Sequence, residues 1–257
     1  MAVLIHSKPT MPALILLTAM VHFALQIISA QFYTSEIPFL GTLLYVLGGF
    51  VDIVVAAHVL RKAIHEKSQQ FLFMGIALCL LGITFVLLGW SVIGFFGPAT
   101  ISNVDVAMYL LIIGTGLSAV FFAASPTNTR ARSGAITLVV SMFLLILMVV
   151  GLYQLHYLLP ALYITIGVPT LLRQQLITAV LILFFFAALR FALFSGGKNT
   201  KESVQWYVIG MSILALVMLN FLLSTTPGDA YSWAGRFFHL MASGAFIQYL
   251  WWDQKGE

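Results

Sequence analysis

Arg236 and His239 stand three residues apart in the run AYSWAGRFFHLMASGAFIQYLWW, which extends from Ala230 to Trp252 and is apolar enough to cross a bilayer. An arginine brings a permanent charge and a fork of donors, and a histidine brings a proton that moves near neutral pH. Both are costly in hydrocarbon, so residues of this kind face the interior of a bundle. Ser232, Arg236, His239 and Ser243 follow each other at i, i+4, i+7 and i+11, which is one helix face. Thr18, His22 and Gln26 repeat every four residues on another. Tyr45 and Asp52 lie seven apart, with Gly48 and Gly49 between them. Asn220 sits near the end of a further apolar run, and Arg173, Gln174 and Gln175 begin one.

The chemistry within reach of this set is reception of a small ligand. Arg236 can take an anionic group bidentately. His239, His22, Asn220, Gln26, Gln174 and Asp52 are the further candidate ligand-binding residues. A second chemistry is redox. His22 and His239 come from different runs at similar depth and are candidate axial ligands of haem b, with an arginine for a propionate. Binding without any cofactor is the simpler expectation. Plain alternatives stand beside these. Arg236 can snorkel to headgroups or pair with Asp229 or Glu36. His22 and His239 can be interhelical hydrogen bonds. Asp52 can be paired structurally, for example with a hydroxyl on a neighbouring helix. No two residues make a persuasive catalytic dyad, Asp52 with a histidine included, so an enzyme is not expected.

The elements that position these groups follow from composition. Hydrophobic residues make up 61% of the chain and charged residues 8%, against about 25% charged in a soluble domain. The mean hydropathy is +1.04. An integral membrane protein follows, and a nucleic-acid partner does not, because the basic residues are scattered over short loops. The single Cys79 excludes an internal disulfide and a cysteine metal cluster. No cleavable leader is evident, so the first apolar run is expected to be retained.

A bilayer core needs about 20 apolar residues per helix. Eight runs qualify: 11–31, 38–60, 70–96, 104–124, 133–155, 173–195, 203–224 and 230–252. Polar or turn-forming stretches such as RKAIHEKSQ, SPTNTRARSG and STTPGD are expected to separate them. The segment 156–172, HYLLPALYITIGVPTLL, is apolar but carries Pro160 and Pro169, and reads as re-entrant or surface-lying. With both termini in the cytoplasm, Lys8, Arg61, Lys62, Lys67, Arg130, Arg132, Arg190, Lys198, Lys201 and Lys255 fall at or near the inner side. Only Arg173 and Arg236 then lie toward the outside, as the positive-inside rule requires. The expected fold is one all-α, multi-pass helical bundle over 1–257 in the cell membrane, with an outward-facing polar cluster. So little of the chain lies outside the spans that it either works within the membrane or is the membrane part of something longer.

The order of these features is similar to a known class. GGFVDIVVAAHVLRKAIHEKSQQFLFMGIALCLLGITFVLLGW couples two spans through a basic loop. YITIGVPTLLRQQLITAVLIL runs from an outer segment into a span. GRFFHLMASGAFIQYLWW places a histidine early in the last one. The chain resembles the bacterial and archaeal membrane-associated sensor domains, the MASE class, and its third type in particular. That resemblance implies a membrane input module that senses a ligand and signals through a cytoplasmic domain or partner, with His239 matching the early histidine of the last helix. The acidic and His-Thr positions of that class are not matched, since here those spans read LGGFVDIVV and GITFVLLGW. The expectation is therefore a sensory, ligand-binding module. The alternatives are an accessory subunit of a larger membrane complex and a haem-binding redox protein.

Overall fold

A computed structural model describes residues 38–92, 101–126, 156–165, 167–194, 201–226 and 228–255, with isolated positions between 143 and 154. Three long helices come first: α1 (Pro38–Glu66), α2 (Gln69–Val92) and α3 (Ile101–Ala124). A 3-10 turn (His156–Leu158) and a two-stranded hairpin, β1 (Tyr163–Thr165) with β2 (Val168–Pro169), follow. Three more long helices complete the fold: α4 (Leu171–Phe194), α5 (Lys201–Leu223) and α6 (Ala230–Lys255). Helices α1 to α5 are each long and apolar enough to cross a membrane. The all-α, multi-pass class therefore stands. Helix α6 matches them in length but carries the polar face read from the sequence. The expected span 11–31, with His22 and Gln26, lies outside the described residues. So does most of 133–155, where the described positions are helical.

Polarity alone does not end α1. The stretch expected as a loop after residue 60 stays helical to Glu66, because Arg, Lys, Ala and Glu all favour a helix. Lys62 and Glu66 also pair at 3.3 Å one turn apart. The break is made by Lys67, whose φ of 51° is left-handed and turns the chain as a helix C-cap does. The Ser68 carbonyl then accepts from the Leu72 amide and opens α2.

Lipid gives no apolar drive for helices to meet, so close backbone contact and hydrogen bonds must hold them. Helices α1 and α2 touch through Gly49 and Gly82. A Cβ on either would lie 2.5 Å from the carbonyl oxygen of the other. Thr42 Oγ1 donates to Gly89 O at 3.0 Å across the same pair. Ser118 Oγ donates to Ala77 O at 2.8 Å and ties α3 to α2.

Contacts run from each long helix to the next, and α6 returns to α1. The six described long helices thus form a closed ring, with α1–α6 as its slightest contact. The middle is filled by aromatic side chains. Phe122 stacks on Phe246 at 5.6 Å between centroids, and Phe191 on Tyr207 at 3.7 Å. Tyr207 adds an oxygen contact to Ser125 at 3.1 Å.

The segment 156–170 is a compact cap over α3. Tyr109 OH donates to Pro160 O at 2.7 Å, and the Leu162 amide donates to Asp105 Oδ1 at 3.2 Å. The hairpin pairs Tyr163 with Pro169 and Thr165 with Val168 around Gly167, whose φ is +96°. Ile164 and Val168 remain exposed.

Gly49→Ala is expected to lower stability by about 1–3 kcal/mol through overpacking. Gly244→Ala, where a Cβ meets nothing within 4 Å, should leave it unchanged. Unfolding of both variants by sodium dodecyl sulfate from mild detergent checks this. Equal stability would refute the close α1–α2 contact.

Candidate functional site

The site is built where the ring closes. Asp52 lies fourteen residues into α1, about 21 Å along its axis, and His239 lies in the third turn of α6. Both are fully buried. His239 Nε2 and Asp52 Oδ2 are 2.7 Å apart. The imidazole stacks on Phe85 of α2 with 3.5 Å between centroids and 13° between planes. Its Nδ1 edge lies against Gly48, one turn from Asp52 on the same face of α1. A Cβ there would fall 2.5 Å from Nδ1 and 2.8 Å from Cε1. The glycine is therefore required for the ring to fit. Four contacts fix one imidazole: a carboxylate, an aromatic face, a bare backbone and its own helix.

Arg236 lies about one turn before His239 on α6 and is 2% exposed. Its guanidinium carbon is 4.6 Å from the Tyr45 ring and 4.5 Å from the Trp233 ring. Each such contact is worth about 0.5–2 kcal/mol, more as water is excluded. Nη2 donates to Ser232 Oγ at 3.3 Å. Tyr45 in turn packs on Phe85 at 5.8 Å. A continuous column thus runs Trp233, Arg236, Tyr45, Phe85, His239, Asp52, drawing on three helices. Arg236 does not reach out to headgroups. Asp229, one of its suggested partners, accepts from the Ser232 amide at Oδ1, 2.7 Å away. Its Oδ2 accepts from the Thr225 and Thr226 amides at 2.7 and 3.2 Å. It caps α6 and closes the turn before it.

The remaining candidates fall elsewhere. Asn220 is buried in α5, and its Nδ2 donates to Leu216 O of its own helix at 2.8 Å. Gln174 is on the exposed face of α4. His22 and Gln26 lie outside the described residues. Of the seven sequence candidates, Asp52, Arg236 and His239 come together. Among the described residues no group of three His, Cys, Asp or Glu side chains could hold a metal ion. His239 as arranged does not fit an axial haem ligand. Nε2 is engaged by Asp52, and Nδ1 abuts the Gly48 backbone.

One residue named in the sequence, but not taken there as a site candidate, is held as closely as these. Arg173, next to Gln174, is fully buried in the first turn of α4. Nη2 donates to Phe221 O at 2.7 Å, in the last turn of α5, and to Ser224 O at 2.9 Å, just past its end. Its guanidinium lies 4.9 Å from the Tyr163 ring of the hairpin. Burial pushes the Tyr163 hydroxyl above its ordinary pKa despite the pull of Arg173, so the phenol stays intact beneath the cation. The clue was available: a cation in a helix's first turn opposes the helix dipole and needs a partner. Here the partner is the negative end of α5.

No family model, curated relative or solved structure matches the chain. The site is therefore read from its own geometry.

Arg173→Leu should cost on the order of 3 kcal/mol, since it leaves buried α5 carbonyls unsatisfied. Arg173→Lys should recover part of that. Melting temperature in mild detergent measures both, and a neutral Arg173→Leu would remove the lock from the account.

Proposed function

We propose that the chain is a membrane-embedded sensory module that binds a small anionic ligand at Arg236 and responds by shifting α6 against α1. The observation that supports it most is the burial of Arg236, His239 and Asp52 together at the slightest contact of the ring. A charged column is an expensive way to join two helices in lipid, and intramembrane charges mark working sites. Arg236 lies against the Tyr45 and Trp233 rings and donates to Ser232 Oγ. A carboxylate or phosphate is the complement that suits a guanidinium edge. A ligand that binds one arrangement of α1 and α6 better than another would shift the population of the two.

The wider proposal takes eight spans in the cell membrane with both termini cytoplasmic, on the distribution of basic residues. Output then passes from the inner end of α6 to a cytoplasmic signalling domain or partner. The likeness in feature order to the third type of membrane-associated sensor domains points the same way.

The test is thermal stability in mild detergent with inorganic phosphate, acetate or succinate. At least one should raise the melting temperature of the wild-type protein, and none should do so for Arg236→Gln. At about 100 times Kd the gain would be about 2.7 kcal/mol. If none of the three shifts the wild type, an anion site at Arg236 is wrong. Fixed partners that co-purify with such a protein would then make it an accessory subunit instead.

A further inference from the structure

The segment 156–172 carries no Asp, Glu, Lys or Arg, yet much of it is uncovered. Tyr157, Leu158, Ile164, Val168 and Leu171 are all exposed. The hairpin sorts its side chains by alternation, since neighbouring strand residues point to opposite faces. Tyr163 is 3% exposed and lies against Arg173, while Ile164 beside it is 67% exposed. The segment is tied down by the Tyr109–Pro160 and Leu162–Asp105 bonds, and the Thr170 amide donates to Leu162 O at 2.9 Å. Its apolar outer face is therefore presented in a fixed position, and little ordering cost remains for anything that binds there.

We propose that this face is a lipid-docking surface, which inserts Ile164 and Val168 among the headgroups and first methylenes of one leaflet and thereby holds Tyr163 on Arg173. Depth favours lipid as the occupant. Asp105 and Tyr109, which bind the segment, lie in the second and third turns of α3, a helix able to span a membrane. The segment thus lies alongside the helix ends, level with their first turns. Continuity favours lipid too. Leu171 begins an exposed face of α4 that runs on through Ile182, Phe185 and Leu189, and α4 is the least buried of the five helices able to span. On such a helix an apolar stripe of this length faces acyl chains. Charge gives the same answer. A surface that docks a soluble protein has a polar rim, and this segment supplies no Asp, Glu, Lys or Arg to one.

Backbone polarity limits the depth. The outer edges of a two-stranded hairpin leave N–H and C=O groups without ladder partners. In hydrocarbon each such group costs more than a buried Ile or Val side chain returns. The face therefore stays at the interface and does not re-enter the bilayer. Gln174 and Gln175, exposed near the start of α4, suit the same level, because their amides can bond to headgroups and water. Tyr157 is of the residue type enriched there. Of the two forms open from the sequence, re-entrant and surface-lying, the geometry favours the second. The proposal needs neither an anion at Arg236 nor a particular sidedness of the chain.

The experiment uses the full chain in phosphatidylcholine nanodiscs, in a Cys79→Ser background. A nitroxide is attached by cysteine substitution at Ile164, Val168 or Phe186, all exposed. Its collisions with oxygen and with a water-soluble nickel chelate are compared. Phe186 supplies the acyl-chain reference, and nitroxide free in the buffer supplies the water reference. Positions 164 and 168 should fall between the two, with oxygen favoured over nickel. Nickel collisions equal to those of free nitroxide would put the face in water and overturn the proposal. So would few collisions with either, which would mean that protein covers it, or a depth equal to that of Phe186, which would mean a re-entrant loop. The double variant Ile164→Asp, Val168→Asp tests the hold on Tyr163. Deuterium exchange over 158–172 should become several-fold faster in nanodiscs while α2 stays protected, and exchange at the wild-type rate would overturn that hold. The label depths come from singly substituted chains, so they decide the docking even where the double variant fails to fold.

Discussion

One hydrogen-bonded contact, Asp52 to His239, closes the ring of helices. It is not a simple source of stability. Taking a carboxylate and an imidazole out of water costs several kcal/mol, and the bond between them at best offsets this. In lipid, where apolar surface sorts nothing, such a contact acts as an address. It tells α6 where on α1 to sit, and the Gly48 notch and the Phe85 face fix the angle. Everything outward of it depends on that choice. Tyr45 reaches Arg236 only because Asp52, two turns away on α1, is seated on His239.

The two buried arginines show two uses of one residue type. Arg173 joins the start of α4 to the end of α5 and stacks on the hairpin. One of its nitrogens, Nη2, donates to two carbonyls at the C-terminal end of α5. Arg236 lies between the Tyr45 and Trp233 rings and donates to the Ser232 hydroxyl. On the other side of the ring, α1 and α2 touch backbone to backbone through Gly49 and Gly82. Helix α1 is thus held closely to α2, while α4 is tied to α5 further round the ring.

Much of this was legible in the sequence, and the gaps have physical reasons. The one-face spacing of Ser232, Arg236, His239 and Ser243 emerged as read, and all four are buried. Tyr45 and Asp52 share a face as their seven-residue spacing implies. What periodicity could not supply was the partner. Asp52 and His239 lie 187 residues apart, and apolar patterning does not rank helix neighbours in lipid. Gln174 was a natural candidate, but one residue is a rotation of about 100° on a helix. That turn puts Arg173 in the core and Gln174 on the outside. Asn220, a candidate from the sequence, is buried in α5 with its Nδ2 donating to Leu216 O of the same helix. The hairpin at 163–169 was hidden because its strands are too short to leave an alternating pattern.

The most direct test of the central claim is a double-mutant cycle on that contact. Asp52→Ala, His239→Ala and the double variant would be unfolded in mixed detergent and compared with wild type. Removing one partner strands the other in the bundle, at about 3–5 kcal/mol each. The double variant should therefore lose well under the sum, with a coupling energy of at least about 1 kcal/mol. Additivity within about 0.5 kcal/mol would mean that the two side chains do not meet, and the closure of the ring would have to be sought elsewhere.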